Sequence, residues 1–183
     1  MKRRWQLGLA TVIVASVVLG IYVGSTRRRE SQPDSPSIPE TALTQFFATR
    51  LNDSDGKMQA MSQWRGKTLV INFWATWCPP CREEMPAFSR LQTKYAVSGV
   101  QFVGIALDTP ENVSAFVKNV TATYPLLLAE SEGMEMTQQL GNSRLALPYT
   151  LVLGPDEKPR LVRLGKLAER DLDGLLAKIT RPK

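Results

Sequence analysis

The sequence predicts an α/β fold in which a mixed sheet is covered by helices on both faces, with a transmembrane helix at the N-terminus. Apolar segments rich in β-branched residues alternate with segments whose apolar residues recur at helical spacing. The chain closes with a hairpin pattern and one more amphipathic helix, so the predicted sheet is mixed and not all-parallel. A length of 183 residues suits one domain with a substantial core and short appendages.

The first predicted element is the membrane-spanning helix. Residues 5–26 carry no charged side chain and are mostly Leu, Val, Ile, Ala and Gly, and 22 such residues can cross a bilayer. A cleaved signal peptide is the alternative, although its apolar core would be shorter and no small-x-small cleavage site is evident. Basic residues flank both ends of the segment, so the positive-inside rule leaves its orientation open. We expect residues 1–29 to form an uncleaved anchor.

A proline-rich linker follows the predicted anchor. Residues 30–40 contain proline at every third position from 33 to 39 and have no apolar face, which is typical of a semi-rigid tether. Residues 41–183 then form the predicted globular domain. The net charge of +6 belongs to the anchor, because from residue 31 onward 17 Lys and Arg face 16 Asp and Glu. A nucleic-acid-binding function is therefore not expected.

Strands and helices are expected to alternate along this domain. The first two strands should flank an Asn-Asp-Ser-Asp-Gly turn, and the last two should form a hairpin around Gly-Pro-Asp-Glu. The predicted strands cover residues 44–48, 57–60, 67–75, 99–107, 124–128, 149–153 and 160–164. The predicted helices cover residues 79–97, 110–120, 133–140 and 168–179.

The chain has two cysteines, Cys78 and Cys81, and they form a Cys-x-x-Cys pair. A disulfide across so short a loop barely restricts the unfolded chain, so it would add little to the stability of the fold. Two thiols cannot complete a tetrahedral zinc site, and the chain has no histidine to add. The pair is therefore predicted to be a dithiol that cycles to a disulfide and back. Neither a metal nor a cofactor is expected.

The position of the pair supports a reactive Cys78. It follows a predicted buried strand and begins a helix with Pro79 in the first position, where the missing N–H costs nothing. Free N–H groups and the dipole at a helix N-terminus stabilise an anion, which favours a Cys78 thiolate. Because Pro79 and Pro80 lack N–H groups, fewer donors remain for that thiolate. We therefore expect a reducing couple and not a strongly oxidising one.

Residues 73–81, Phe-Trp-Ala-Thr-Trp-Cys-Pro-Pro-Cys, continue into Arg-Glu-Glu-Met-Pro. This segment resembles the active site of thioredoxin-fold proteins, in particular the membrane-anchored TlpA and ResA branch of bacteria, and the resemblance covers residues 41–180. It implies a thioredoxin-like fold and a thiol–disulfide oxidoreductase in which Cys78 attacks and Cys81 resolves. It also implies an extracytoplasmic location, disulfide-containing protein substrates and a transmembrane thiol electron donor. Reduction of haem-attachment cysteines in cytochrome c maturation is one role within the family.

The resemblance also implies a role for Glu84, which would lie near the cysteines and modulate their protonation. The alternative is that Glu84 only interacts favourably with the helix dipole. Thioredoxin has a buried aspartate at the position of Asn72, and Asn72 cannot titrate. Glu84 or water would then accept the proton of the resolving thiol. Pro86 lies inside the predicted helix and is expected to kink it.

Four residues are expected to contact substrate. The resemblance places a cis-proline at Pro148, facing the dithiol, and Leu147 before it would offer backbone hydrogen bonds to the substrate chain. Trp77 and Pro79 flank Cys78 and would add contact surface. In contrast, Trp74 is expected in the core. Asp108 and Thr109 are expected to cap the helix that follows them.

Two other functions remain open from the sequence. A peroxiredoxin-like peroxidase is one, because Thr76 lies two residues before Cys78. A non-enzymatic chaperone that holds Cu(I) between two thiolates is the other, although related copper chaperones use a Cys-x-x-x-Cys spacing with a histidine. Peroxide consumption without a protein substrate would favour the first, and stoichiometric Cu(I) binding that survives a chelator would favour the second.

Overall fold

The computed structural model describes residues 38–181. The expected membrane span at residues 5–26 and most of the expected linker lie outside the described residues. Between residues 38 and 181, no helix has the length and apolar character needed to cross a membrane.

Helices and strands alternate through most of the described chain, as predicted. In chain order they are α1 (Glu40–Ala48), β1 (Arg50–Asp53), β2 (Met58–Ala60), β3 (Thr68–Trp74), α2 (Pro79–Tyr95), β4 (Val100–Ala106), α3 (Pro110–Val117), β5 (Leu126–Leu128), α4 (Glu132–Gln139), β6 (Tyr149–Leu153), β7 (Pro159–Leu164) and α5 (Glu169–Ile179). Short 3₁₀ helices cover Met61–Trp64 and Ala96–Ser98.

One sheet of seven strands runs through the described residues in the order β2-β1-β5-β4-β3-β6-β7. Strands β3, β4 and β5 are parallel, and the remaining pairings are antiparallel. The sheet is therefore mixed, as predicted. Strand β3 lies between parallel β4 and antiparallel β6, so three connecting loops meet at the end of β3.

The strand predicted over residues 44–48 is wrong, because these residues belong to α1. The sequence Ala-Leu-Thr-Gln-Phe-Phe places its apolar residues in two pairs, Ala42 with Leu43 and Phe46 with Phe47, and all four are buried. Pairs three and four residues apart share one face of a helix. The predicted strand began at residue 44 and so left out the first pair. The hairpin partner of β2 is β1, in the register Arg50 with Ala60. The other predicted elements are present with their ends shifted by no more than three residues.

The alternation of β3 divides the core into two layers. Leu69, Ile71 and Phe73 pack in the layer that contains the apolar face of α1. Val70 and Trp74 pack in the opposite layer, which contains the buried faces of α2 and α5. Both faces of the sheet are thus covered by helices, as predicted, and all seven residues of β3 are buried. Both cysteines lie in the α2 layer.

Helix α4 packs closely at Gly133, and this contact yields a stability prediction. A Cβ at position 133 would collide with Leu107 Cδ2 and lie 2.8 Å from Ala129 Cβ, whereas a Cβ at Gly174 of α5 would meet nothing within 4 Å. We expect Gly133→Ala to lower the free energy of unfolding by about 1–3 kcal/mol through overpacking. Gly174→Ala, the matched control, should be neutral or raise it by up to about 1 kcal/mol. Urea unfolding of both variants measures the difference, and equal stability of the two would refute the packing at Gly133.

Candidate active site

The two cysteines form a disulfide at the point where β3 gives way to α2. Their Cα atoms are 5.3 Å apart. Cys78 is the residue that precedes the first turn of α2 and has an extended backbone, and Pro79 begins the helix. Cys78 is 4% exposed, whereas Cys81 has no exposed surface. Cys78 therefore keeps a small exposed surface, whereas Cys81 is shielded one turn into the helix.

Strand pairing brings three segments to this end of the sheet. Trp74 at the end of β3 pairs with Ala106 at the end of parallel β4. Phe73 pairs with Tyr149 at the start of antiparallel β6. Three segments consequently lie at the same end of the strands: the Cys78 loop, the residues after β4 and the residues before β6.

The segment before β6 contains Leu147 and Pro148, joined by a cis peptide bond, as the resemblance implied. Leu147 is half-buried and packs against the core layer that holds both cysteines. Pro148 is buried. The structure therefore brings Leu147 to the core layer that contains the dithiol.

Glu84 lies on α2 beneath the dithiol and is only 1% exposed. Because Cys81 and Glu84 are three residues apart in a helix, they share one helical face. Asn72 Nδ2 donates to Glu84 Oε1 at 2.8 Å, and the backbone N–H of Leu167 donates to Oε2 at 3.1 Å. Burial raises the pKa of Glu84 to about 7, against the opposing effect of these hydrogen bonds and of the nearby Lys166 charge. Glu84 therefore changes charge near neutral pH, about one turn beyond Cys81 on α2.

Asn72 lies on β3 and acts as a hydrogen-bond partner of Glu84. Its Nδ2 also lies 3.1 Å from Thr150 Oγ1. Its Oδ1 has no hydrogen-bond partner among the described residues. An amide can present a donor to a carboxylate or, after rotation, an acceptor to a protonated carboxyl. Asn72 is thus chemically compatible with both protonation states of Glu84.

Asp108 fixes the loop that carries Cys78, a role that the sequence did not reveal. Thr109 caps α3 as predicted, since its Oγ1 accepts from the N–H of Asn112 at 3.3 Å. Asp108 accepts from the N–H of Thr109 and from Asn112 Nδ2, both at 2.8 Å. It also accepts from both the N–H of Thr76, at 2.9 Å, and the Thr76 hydroxyl.

These bonds decide the charge of Asp108. Although burial acts to raise its pKa, the hydrogen bonds from Thr76, Asn112 and Thr109 outweigh it and hold the pKa below its ordinary value. An ionised Asp108 therefore ties the loop after β4 to Thr76, two residues before Cys78. An aspartate directly after a strand parallel to β3 was the available signal, but its partner depends on which strands pair.

The residues that flank Cys78 differ in exposure. Trp74 is fully buried, as predicted. Trp77 is 67% exposed and lines a cavity of about 430 Å³ together with Asp108 and residues of the loop before α4. Pro79 is also exposed. Trp77 and Pro79 thus present surface on either side of Cys78.

No group of three or more His, Cys, Asp or Glu side chains converges on a possible metal position within residues 38–181. In the oxidised protein both sulfur atoms are engaged in the disulfide. The arrangement at the end of β3 is therefore suited to thiol–disulfide exchange, with a titratable carboxyl as its companion.

Comparison with known proteins agrees with this geometry. Residues 40–161 match the model of the AhpC/TSA family. The chain belongs to the AhpC/TSA family. It is 28% identical over 170 residues to a thiol-disulfide oxidoreductase ResA of Bacillus cereus, a match covering 92% of this chain and 91% of that protein.

Solved structures show the same fold. A thioredoxin-related protein from Neisseria meningitidis serogroup B is 30% identical with a TM-score of 0.63, over 70% of this chain and 97% of that one. A thiol:disulfide interchange protein of the thioredoxin family from Chlorobium tepidum TLS is 28% identical with a TM-score of 0.63, over 73% and 93%. The chain is a thioredoxin-like thiol–disulfide oxidoreductase similar to ResA, as the sequence predicted.

The burial of Glu84 predicts an unusual pH dependence of stability. Its folded-state pKa of about 7 lies above the ordinary value of 4.5. Between these values the folded state keeps a proton that the unfolded state loses, so stability falls as pH rises through this window and is constant above it. Between pH 4.5 and pH 7, the free energy of unfolding of the oxidised protein should fall by about 3 kcal/mol more than that of Glu84→Gln.

Urea unfolding at several pH values measures this loss. The control is Glu83→Gln, because Glu83 is exposed and pairs with Lys166, which lowers its pKa. The Glu83 variant should keep the decline seen in the unaltered protein. Parallel pH profiles for the unaltered protein and Glu84→Gln would contradict the assignment.

The tie between Asp108 and Thr76 predicts an energetic coupling. Asp108→Ala leaves the donors of Thr76, Thr109 and Asn112 without their acceptor, which should cost about 1–3 kcal/mol. Thr76→Val removes the hydroxyl alone. Because both changes abolish the same bond, the double variant should lose less stability than the sum, by about 0.5–3 kcal/mol. Asp55→Ala, on an exposed loop, is the control; strict additivity of the pair would contradict the tie.

Proposed function

We propose that this protein is a reductase of disulfide bonds in extracytoplasmic partner proteins and that Cys78 is its attacking thiol. The observation that carries the proposal is the asymmetry of the pair: Cys78 precedes the first turn of α2 and keeps 4% of its surface exposed, whereas Cys81 has no exposed surface and lies on the face that holds Glu84. Such a pair attacks with one sulfur and releases the product with the other.

The chemistry begins with the reduced dithiol. Cys78 gives up its proton, its thiolate attacks one sulfur of the substrate disulfide, the substrate S–S bond breaks, and the leaving thiolate takes up that proton. Cys81 then loses its proton and attacks the Cys78 sulfur, which breaks the mixed disulfide and releases the second substrate thiol. Two electrons and two protons pass to the substrate, and the Cys78–Cys81 disulfide remains.

Glu84 supports the second step. A carboxyl with a pKa of about 7 is a suitable proton acceptor near neutral pH, and Asn72 cannot serve because it does not titrate. Once ionised, the same carboxylate disfavours a thiolate close to it and so stabilises the disulfide relative to the dithiol. Together with the missing N–H groups of Pro79 and Pro80, this favours a reducing couple.

The proposed organisation places the reductase at a membrane. Residues 1–29 would anchor the chain and residues 30–37 would act as a tether, which is shorter than the sequence predicted because Ile38 is buried in the core and Glu40 begins α1. The domain that follows would carry the dithiol outside the cytoplasmic membrane. A transmembrane thiol carrier would return the disulfide to the dithiol state. The similarity to ResA supports a role in cytochrome c maturation, in which haem-attachment cysteines must be reduced.

The proposed substrate contacts are Trp77, Pro79, Leu147 and Pro148. Trp77 and Pro79 supply exposed surface beside Cys78, and Leu147 packs against the core layer that holds both cysteines. The peroxidase alternative depended on Thr76, and the Thr76 hydroxyl donates its hydrogen to Asp108. That bond favours a structural role for Thr76 over activation of Cys78.

The two sulfurs can be told apart by trapping. Cys81→Ser should accumulate a mixed disulfide through Cys78 when mixed with an unfolded protein that carries one disulfide, because the resolving thiol is missing. Cys78→Ser, the matched control, should trap at least about tenfold less, since Cys81 is buried. Non-reducing electrophoresis and mass spectrometry identify the adduct. Equal trapping by both variants, or turnover of peroxide without any adduct, would overturn the proposal.

A further inference from the structure

The cavity beside Cys78 has an apolar wall, of which the proposed substrate contacts include only Trp77. We define the Trp77 cavity as the space of about 430 Å³ lined by Trp77, Leu107, Asp108, Glu130 and Met134 with two hydroxyl residues. Trp77 is 67% exposed and Met134 is 40% exposed, so two large apolar side chains remain at the surface within one concave site. Exposed apolar surface gathered in a concave site is typical of binding sites.

The Trp77 cavity is also acidic. Asp108 and Glu130 line it, and no lysine or arginine is among its lining residues. Asp108 is kept ionised by its hydrogen bonds. Within residues 38–181, Glu130 forms no ion pair. The residue lies in a left-handed turn, with φ of 40°, between β5 and α4. A cationic group that enters the cavity meets two carboxylates and no competing charge from its walls.

The position of the cavity relates it to the substrate. Trp77 is the residue next to Cys78. The other residues that line the cavity follow β4 and β5, whereas the Leu147 segment precedes β6 on the opposite side of β3. When a substrate cysteine is joined to Cys78, the residues beside that cysteine must lie on the cavity side of the dithiol, on the Leu147 side, or on both. An extended chain advances about 3.3 Å per residue, so the first few residues beside the substrate cysteine can reach the cavity.

We propose that the Trp77 cavity is a specificity subsite that accepts an apolar side chain and an adjacent lysine or arginine of the disulfide-bearing substrate polypeptide. Trp77, Leu107 and Met134 contact the apolar side chain, and Glu130 pairs with the cation. This inference rests on the proposed disulfide reductase function and adds the substrate class that the function alone leaves open. An anionic lipid surface does not fit, because Asp108 and Glu130 would repel it.

The test uses the reduced full chain and two disulfide-bonded peptides of one sequence. In the first peptide Leu-Lys flanks a cysteine on both sides, and in the second Leu-Glu takes its place; the two peptides are otherwise identical. The readout is the ratio of second-order reduction rates, Lys peptide over Glu peptide, which cancels any general loss of activity. At low ionic strength the ratio should be about threefold to tenfold, and it should fall as salt is added.

Charge variants assign the ratio to Glu130. Glu130→Gln should lower the ratio, and Glu130→Lys should bring it to about one or below, because attraction is replaced by repulsion. The matched control is Glu132→Gln, which removes the same charge two residues away on a separate cavity formed with α1. Its ratio should equal that of the unaltered protein. A ratio of one in the unaltered protein, or a ratio that Glu130→Lys does not change, overturns the inference.

A third peptide tests the apolar part of the proposed subsite. A third peptide with Ser-Lys in place of Leu-Lys should react more slowly with the unaltered protein, and Trp77→Ala should abolish that difference between the peptides. An unchanged difference in Trp77→Ala overturns this part. If the reduced chain reduces no peptide and no small disulfide, the proposed function fails. Equal reduction of all three peptides rejects only the subsite.

Discussion

The pairing of β3 with β4 on one side and β6 on the other is the constraint on which the site depends. Parallel pairing aligns the ends of β3 and β4, and antiparallel pairing aligns the start of β6 with the same edge. This arrangement brings the Cys78 loop, Asp108 and the Leu147 segment together. The alternation of β3 also points Asn72 toward α2, where it meets Glu84. A shift of one residue in this register would direct Asn72 to the opposite layer and separate it from Glu84.

The site combines a rigid frame with one titratable group that burial holds near neutrality. Asp108 stays ionised because it accepts four hydrogen bonds, whereas Glu84 accepts two and is more deeply buried. The two carboxyls therefore have different tasks. Asp108 fixes the loop that precedes Cys78, and the proposed task of Glu84 is to exchange a proton with the resolving thiol. Glu84 makes the fold less stable at neutral pH, which is a common cost of a functional group in a buried position.

The reactive centre could be predicted from the sequence because its chemistry is local. A strand, a turn and a helix N-terminus around Cys78 occupy adjacent residues, and periodicity and capping rules describe them well. The bonds from Asp108 to Thr76 and from Leu167 to Glu84 join residues 32 and 83 positions apart, so they follow from strand order and helix packing. Residues 44–48 were misassigned to a strand because this segment contains only one of the two apolar pairs, Phe46 with Phe47. The helical spacing is visible only when Ala42 and Leu43 are included.

The reduction potential of the Cys78–Cys81 couple tests the central claim most directly. The purified full chain in detergent would be equilibrated with glutathione or dithiothreitol buffers, and the fraction of disulfide would be counted by thiol alkylation and mass spectrometry. The account predicts a potential near that of thioredoxin, about −270 mV, since Pro79 and Pro80 withhold donors and Glu84 disfavours the thiolate. A potential near −120 mV would mark a disulfide donor and would contradict the roles given to these three residues.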